Sequence, residues 1–192
     1  INPDFADFHY NLGNVLNDIG KPYEAIDSFK KVLQILPDNS IALFNLGVTL
    51  QKLGKLDEAV NYYELASKAD PEDSDIRVNL GIAYQEFGQF DDAIEQYKLA
   101  IKINPKAIEA LNNLGIIHRQ IDQADKSIKY YKDALNLDPD DVGSHYNLGF
   151  AYQDLGQVAK AIYHYEKAIE HGNHSWSFLN LVFLNEVKSD RP

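Results

Sequence analysis

Residues 40–73 read SIALFNLGVTLQKLGKLDEAVNYYELASKADPED, and the spacing of their apolar positions decides the fold. Leu43, Leu46, Gly47 and Leu50 fall at i, i+3, i+4 and i+7; after Gly54, Ala59, Tyr63 and Ala66 fall at i, i+4 and i+7. Each set is one stripe of a helix with 3.6 residues per turn. Gly54 breaks the first helix. Asp57 and Glu58 stand where the second begins, and the unpaired N–H groups of a helix N-terminus favour negative charge there. Pro71 disfavours α geometry at Asp70 and so ends it. The stretch predicts a helix, a tight turn and a second helix, with Gly47 facing Ala59 and Ala66 so that the two backbones approach closely.

The same arrangement recurs along the chain. Gly13, Gly47, Gly81, Gly115 and Gly149 follow one another at 34 residues, and so do Pro37, Pro71, Pro105 and Pro139. Gly20, Gly54, Gly88 and Gly156 mark the inner turn, and Asp122 fills the missing place, since Asp tolerates a left-handed backbone better than most residues. A fixed period of this size is the signature of a repeat architecture. The expected organisation is five repeats at 6–39, 40–73, 74–107, 108–141 and 142–175. Residues 1–5 read as the tail of a preceding repeat, because Ile1-Asn2-Pro3 matches Ile103-Asn104-Pro105. Residues 176–192 read as a C-terminal capping helix with Trp176, Leu179, Val182 and Phe183 as its stripe. The remaining apolar side chains of that helix, and the uncovered first helix, are expected to leave apolar surface through which the array ends self-associate, making a homo-oligomer.

Composition narrows the function. The 192 residues hold 18 Lys and Arg against 29 Asp and Glu, a net charge of −11, which disfavours nucleic acid as a partner. At 45% hydrophobic residues the chain has material for a core. No apolar run approaches the roughly 18–20 residues that a membrane-spanning helix needs, and no secretory signal opens the chain, so no membrane partner is expected. The absence of cysteine removes disulfides and thiolate chemistry and leaves the compartment open; a cytoplasmic protein is the working expectation.

The repeat resembles the tetratricopeptide repeat family across nearly the whole chain, through positions such as Leu80, Gly81, Tyr84, Gly88, Ala93, Tyr97, Ala100 and Pro105. Departures fall at His9, His145, Ser127 and Asn173. The resemblance implies an all-α, right-handed superhelical solenoid of helix-turn-helix repeats, its first helices lining a concave groove and its second helices facing outward.

No motif of hydrolase, metalloprotease, nucleotide-binding or phosphate-binding chemistry occurs, and the carboxylates are scattered over helix surfaces. No catalytic residue, metal site or cofactor is expected. His9, His118 and His145 read as packing residues, and the two-turn spacing of His164 and His171, with His174 beyond, invites at most an adventitious zinc or nickel site. The recurring second-helix aromatics, Phe29, Tyr63, Tyr97, Tyr131 and Tyr165, read as core.

The sharpest functional feature is Asn11, Asn45, Asn79, Asn113 and Asn147, one position in all five repeats, two residues before the glycine. The neighbouring groove position diverges freely: Asp7, Ile41, Asp75, Glu109 and Gly143. An amide offers a donor and an acceptor, so it can pair with a peptide unit of any sequence. With groove helices about 10 Å apart and an extended chain rising about 3.3 Å per residue, each Asn would meet roughly every third peptide unit, and five would grip about a dozen residues. The competing reading is that these amides tie adjacent groove helices together. Tyr10, Phe44, Asn112 and Tyr146 precede the ladder, and Gln51, Gln85, Arg119 and Gln153 follow it, as further candidate contacts. Asp7, Asp18, Asp75, Glu86, Glu109 and Asp154 against Lys52 and Arg119 make the groove acidic, favouring a neutral or basic peptide.

The ladder is similar to that in the tetratricopeptide region of the O-linked N-acetylglucosamine transferases, which implies that it holds the backbone of an extended polypeptide. A chaperone-type clamp does not match: Asn14 and Asn45 fit it, but Tyr10, Asp75 and Asn79 stand where it needs bases. The expected function is a non-catalytic scaffold binding an extended polypeptide, with a substrate-recruiting arm of a larger enzyme such as a glycosyltransferase as the alternative.

Overall fold

The computed structural model describes residues 4–172 and 175–189; Ile1-Asn2-Pro3, Asn173 and His174 lie outside the described residues, as does the side chain of Phe183. Among the described residues there are eleven α-helices and no strand. They fall in two compact units, Ile1–Pro105 and Lys106–Pro192.

The first unit holds three helix pairs: α1 (Asp4–Asp18) with α2 (Pro22–Ile35), α3 (Ser40–Lys52) with α4 (Leu56–Ala69), and α5 (Ser74–Glu86) with α6 (Phe90–Ile103). Successive pairs stack through α2 on α3 and α4 on α5. Its core runs through Phe29, Leu46, Leu50, Tyr63 and Leu80. The second unit holds α7 (Ile108–Gln120) with α8 (Ala124–Leu137), α9 (Val142–Asp154) with α10 (Val158–His171), and α11 (Ser175–Ser189) packed on α10. Tyr131, Leu148, Tyr152, Tyr165 and Leu184 form its core.

The turn inside each pair is one repeated hydrogen-bond motif. At Gly54, φ is +73°, the Gly54 N–H donates to the Gln51 carbonyl (2.9 Å) and the Lys55 N–H to that of Leu50 (3.0 Å), which is the Schellman closure. Asp122 makes the same closure at φ +58°, its N–H donating to Arg119 (3.1 Å) and that of Gln123 to His118 (2.7 Å). The aspartate accepts a conformation that costs an L-residue about 1–2 kcal/mol. Between pairs, Asn39, Asp73 and Asp141 cap α3, α5 and α9 by accepting backbone N–H groups.

What lies nearest the recurring helical glycines is an aromatic ring, with a backbone atom of the partner helix (the Ala161 carbonyl, 3.3 Å) among the nearest only at Gly149. A Cβ on Gly47 would stand 2.6 Å from Cε1 of Tyr63, and Gly13, Gly81, Gly115 and Gly149 meet the rings of Phe29, Tyr97, Tyr131 and Tyr165 in the same way. Each glycine is the seat of one aromatic ring, and those five rings are wholly buried.

The last helix docks by another face than its sequence stripe suggests. Ser177, Leu181 and Leu184 turn inward, Ser177 and Leu184 being buried, whereas Trp176, Leu179 and Val182 remain exposed together with Phe178. The reason is local: the Asn180 amide donates to the Tyr165 hydroxyl (3.3 Å), and Leu184 enters the core beside Tyr165.

Candidate functional site

Asn11 is exposed and Asn45, Asn79, Asn113 and Asn147 are half-buried on α1, α3, α5, α7 and α9. The amides of Asn45 and Asn79 donate one turn back along their own helices, to the Ile41 and Asp75 carbonyls, at 2.8 Å each. Among the described residues no side-chain hydrogen bond engages Asn11, Asn113 or Asn147. Other residues tie helix to helix. Asn17 donates to the Thr49 hydroxyl (2.8 Å), and Gln51 to Glu86 (3.0 Å). Asn112 spends both ends of its amide on the α9 cap, donating to Asp141 (3.2 Å) and accepting from Ser144 (2.9 Å).

The positions after the ladder are also occupied. The Tyr63, Tyr97 and Tyr165 hydroxyls donate to Oε1 of Gln51, Gln85 and Gln153 at 2.8, 3.0 and 2.7 Å, latching the second helix of a pair to its first. Burial, above all, pushes the Tyr63 and Tyr165 phenols well above the ordinary tyrosine range, so they stay donors. The signal was in the sequence, a Gln and a Tyr twelve residues apart in three repeats, but spacing alone does not show that an amide near a groove is held from behind. In the fourth repeat Arg119 stands in the glutamine's place, pairs with Asp154 (3.2 Å) and covers the Phe150 ring at 4.4 Å. Glu86 and Asp154 therefore have partners in Gln51 and Arg119, while Asp7, Asp18, Asp75 and Glu109 are exposed carboxylates. Tyr10, Phe44 and Tyr146 are half-buried, their rings 6.2, 5.7 and 6.0 Å from those of Phe29, Tyr63 and Tyr165.

Among the described residues no three potential metal ligands converge. His145 instead organises its neighbours: its Nε2–H donates to the Pro139 carbonyl (2.9 Å), which leaves its Nδ1 to accept from Nδ1–H of His164 (3.0 Å). Tyr152 stacks on His164, and His171 stacks on His145 with its Nε2 3.4 Å from Asp140. His118 stacks on Tyr130 and shares a hydrogen bond with Gln123, while Nδ1 of His9 is buried without a partner.

Burial, then the nearness of His145 and Lys132, pulls the His164 imidazole down from the usual 6.5 to about 4. The unfolded chain takes up a proton as pH falls through 6.5, and the folded one refuses it until about 4. The stabilisation is therefore complete above pH 6.5 and disappears between pH 6.5 and 4. Melting curves across that range should show a shallower decline for His164→Gln than for the parent; identical slopes would refute this origin.

Matches to family models cover nearly all of the chain: the tetratricopeptide repeat at residues 4–72, 50–115 and 143–171, and the TPR repeat at 117–156. A search of the curated proteins finds no significant match. Among solved structures, pilF of Pseudomonas aeruginosa is 20% identical, with 98% of this chain and 86% of that one covered at a TM-score of 0.84. MamA from Desulfovibrio magneticus RS-1 is 23% identical, with 88% and 95% covered at 0.77. YrrB, described as a TPR protein with an unusual peptide-binding site, is 22% identical, with 90% and 89% covered at 0.70. At these identities the likeness is one of fold, and it agrees with the all-helical architecture of stacked pairs. The chain belongs to the tetratricopeptide repeat family.

Proposed function

We propose that the protein is a non-catalytic scaffold that holds an extended segment of another protein by its main chain, through Asn11, Asn45 and Asn79 in the first unit and Asn113 and Asn147 in the second. The observation that carries this reading is a division of labour among amides. Asn17, Asn112 and Gln51 tie helices together, whereas the ladder amides either donate only to their own helix or have no side-chain hydrogen bond among the described residues. An amide that makes no helix-to-helix hydrogen bond, repeated in five pairs, is suited to a ligand with a donor and an acceptor at every residue. Asp7, Asp75 and Glu109 beside it favour a neutral or basic segment, and complementary charge raises association rates more than final affinity.

Peptide display on the purified chain supplies a ligand, and titration then tests the ladder. Asn45→Ala with Asn79→Ala should weaken binding by about 1 kcal/mol or more per lost rung, a total of about 30-fold, while the melting temperature moves little. Unchanged affinity with a large loss of melting temperature would assign these residues to packing.

A further inference from the structure

Where the second and third helix pairs stack, α4, the end of α5 and the start of α6 enclose a cavity of about 290 Å³, lined by Asp57, Glu64, Tyr84, Phe87, Gln89 and Asp92. The Tyr84 hydroxyl donates to Glu64 (2.7 Å), and Phe87 is 46% exposed. Among the described residues the ion pairs of the first unit are Lys21 with Glu24 and Lys55 with Glu58, so the three carboxylates of the cavity have no base of their own. Burial, then the hydrogen bond and charge of Glu64 and the charges of Asp92 and Glu95, push the Tyr84 phenol above the ordinary tyrosine range, so the ring stays neutral in a negative field.

The 34-residue period shows that this charge is particular to one junction. Lys30, Lys98 and Lys132 stand at the position of Glu64 in the first, third and fourth repeats, and Glu166 in the fifth. At the position of Asp92 the second, fourth and fifth repeats have Glu58, Lys126 and Lys160. Between one repeat and the next, Glu64 with Asp92 is the one pairing of acid with acid. The fifth repeat shows how the same surroundings hold a cation: the Lys160 ammonium lies 5.0 Å from the centre of the Tyr152 ring and donates to Gln157 (2.8 Å). Tyr152 and Gln157 stand, two periods on, where Tyr84 and Gln89 stand in the cavity. The ring and the amide are thus kept, while Asp92 replaces the lysine that would fill the space between them.

We infer that this cavity binds the side chain of a lysine from a partner protein, with the ammonium over the Tyr84 ring and among Asp57, Glu64 and Asp92. An ammonium is attracted to a ring face within about 6 Å of its centre, and a cleft lined by one sign of charge concentrates its field on the opposite charge. The counterpart in the fifth repeat selects lysine as the occupant, because there the molecule supplies that side chain itself. The cavity shares no residue with the asparagine ladder, so it is a second and independent contact.

Titrating the chain with Nα-acetyl-lysine methylamide, and with its uncharged norleucine twin, while following the ring resonances of Tyr84 and Phe87 by nuclear magnetic resonance, tests the site. The lysine compound should give saturable shifts in the millimolar range, and the norleucine compound none. Asp92→Lys and, separately, Glu64→Lys install the residue that other repeats carry at these positions, so each should keep the helical circular dichroism of the parent. In both variants the affinity for the lysine compound should fall by about tenfold or more, since a carboxylate becomes a competing ammonium. Asn45→Ala with Asn79→Ala should leave that affinity unchanged, which separates this site from the ladder. Three results would each overturn the inference: no saturable shift of Tyr84 and Phe87 in the parent, equal shifts with norleucine, or undiminished affinity in the two folded lysine variants.

Discussion

Replacing Gly81 with alanine should lower the unfolding free energy by up to about 2 kcal/mol, against the direction that helix propensity predicts. In a helix interior alanine is favoured over glycine by about 1 kcal/mol. Here the new Cβ would lie 2.6 Å from Cε1 and 2.8 Å from Cδ1 of Tyr97, a ring with no exposed surface and with its hydroxyl fixed on Gln85. The ring has no room to withdraw, and forcing a methyl group into a packed core costs about 1–3 kcal/mol even where neighbours relax. Overpacking therefore exceeds propensity. Gly143 is the internal control, since a Cβ there meets Asp141 at 3.5 Å and Asn112 at 3.8 Å, ordinary contact distances. Gly143→Ala should raise stability by about 0.5–1 kcal/mol. Urea denaturation of the two variants should move in opposite directions, and equal shifts would show that the glycine-to-ring contact is not what fixes Gly81.

The helix pairs were legible because two periodicities coincide, the 3.6-residue stripe within a helix and the 34-residue return of Gly and Pro. Asp122 was legible for the same reason, standing where the period demands a left-handed residue, and its φ is +58°. The purpose of the helical glycines was not. Gly47 and Ala59 suggested touching backbones, but a spacing pattern does not say whether the room beside a glycine is filled by a backbone or by a ring, and Tyr63 fills it. The candidate site divided in the same way. Position in the repeat placed Gln51, Gln85 and Gln153 on the groove helix, yet each is engaged by a phenol of its partner helix, and Asn112, adjacent to the ladder, is committed to Asp141 and Ser144. In α11 the stripe of Trp176, Leu179 and Val182 pointed to the docking face, but Ser177 and Leu184 are the side chains that pack. A helix that is apolar on more than one side has no unique face in its sequence, and a single polar contact, Asn180 with Tyr165, accompanies the face that packs.

The ring that each glycine receives should be the largest single contributor to its pair. Tyr63→Ala is expected to cost about 3–5 kcal/mol, the range for removing a fully buried aromatic side chain, because the space between Gly47, Ala59 and Phe44 cannot collapse without moving helices. The hydroxyl should matter much less: Tyr63→Phe is expected to cost about 0.5–1 kcal/mol, since Gln51 is only half-buried and water can replace the phenol. The first repeat already carries Phe29 at this position with no exposed surface, so the ring suffices for the fold. The fourth repeat separates the two contributions further. Arg119 replaces the glutamine, and the Tyr131 hydroxyl is buried without a hydrogen bond of ordinary geometry, although Ser127 and Arg119 lie near enough to oppose the upward pull of burial on its pKa. Tyr131→Phe should then cost nothing or stabilise slightly, because an unpaired buried hydroxyl is removed. The fifth repeat has the opposite arrangement, its Tyr165 hydroxyl both donating to Gln153 and accepting from Asn180, so Tyr165→Phe should loosen α11 as well as the pair. The expected order of loss on deleting the hydroxyl is Tyr165, then Tyr63, then Tyr131, measured as urea midpoints of the three Tyr→Phe variants. A Tyr131→Phe variant that loses as much as Tyr63→Phe would mean that Arg119 has taken over the role of the glutamine, and that the latch is complete in the fourth repeat too.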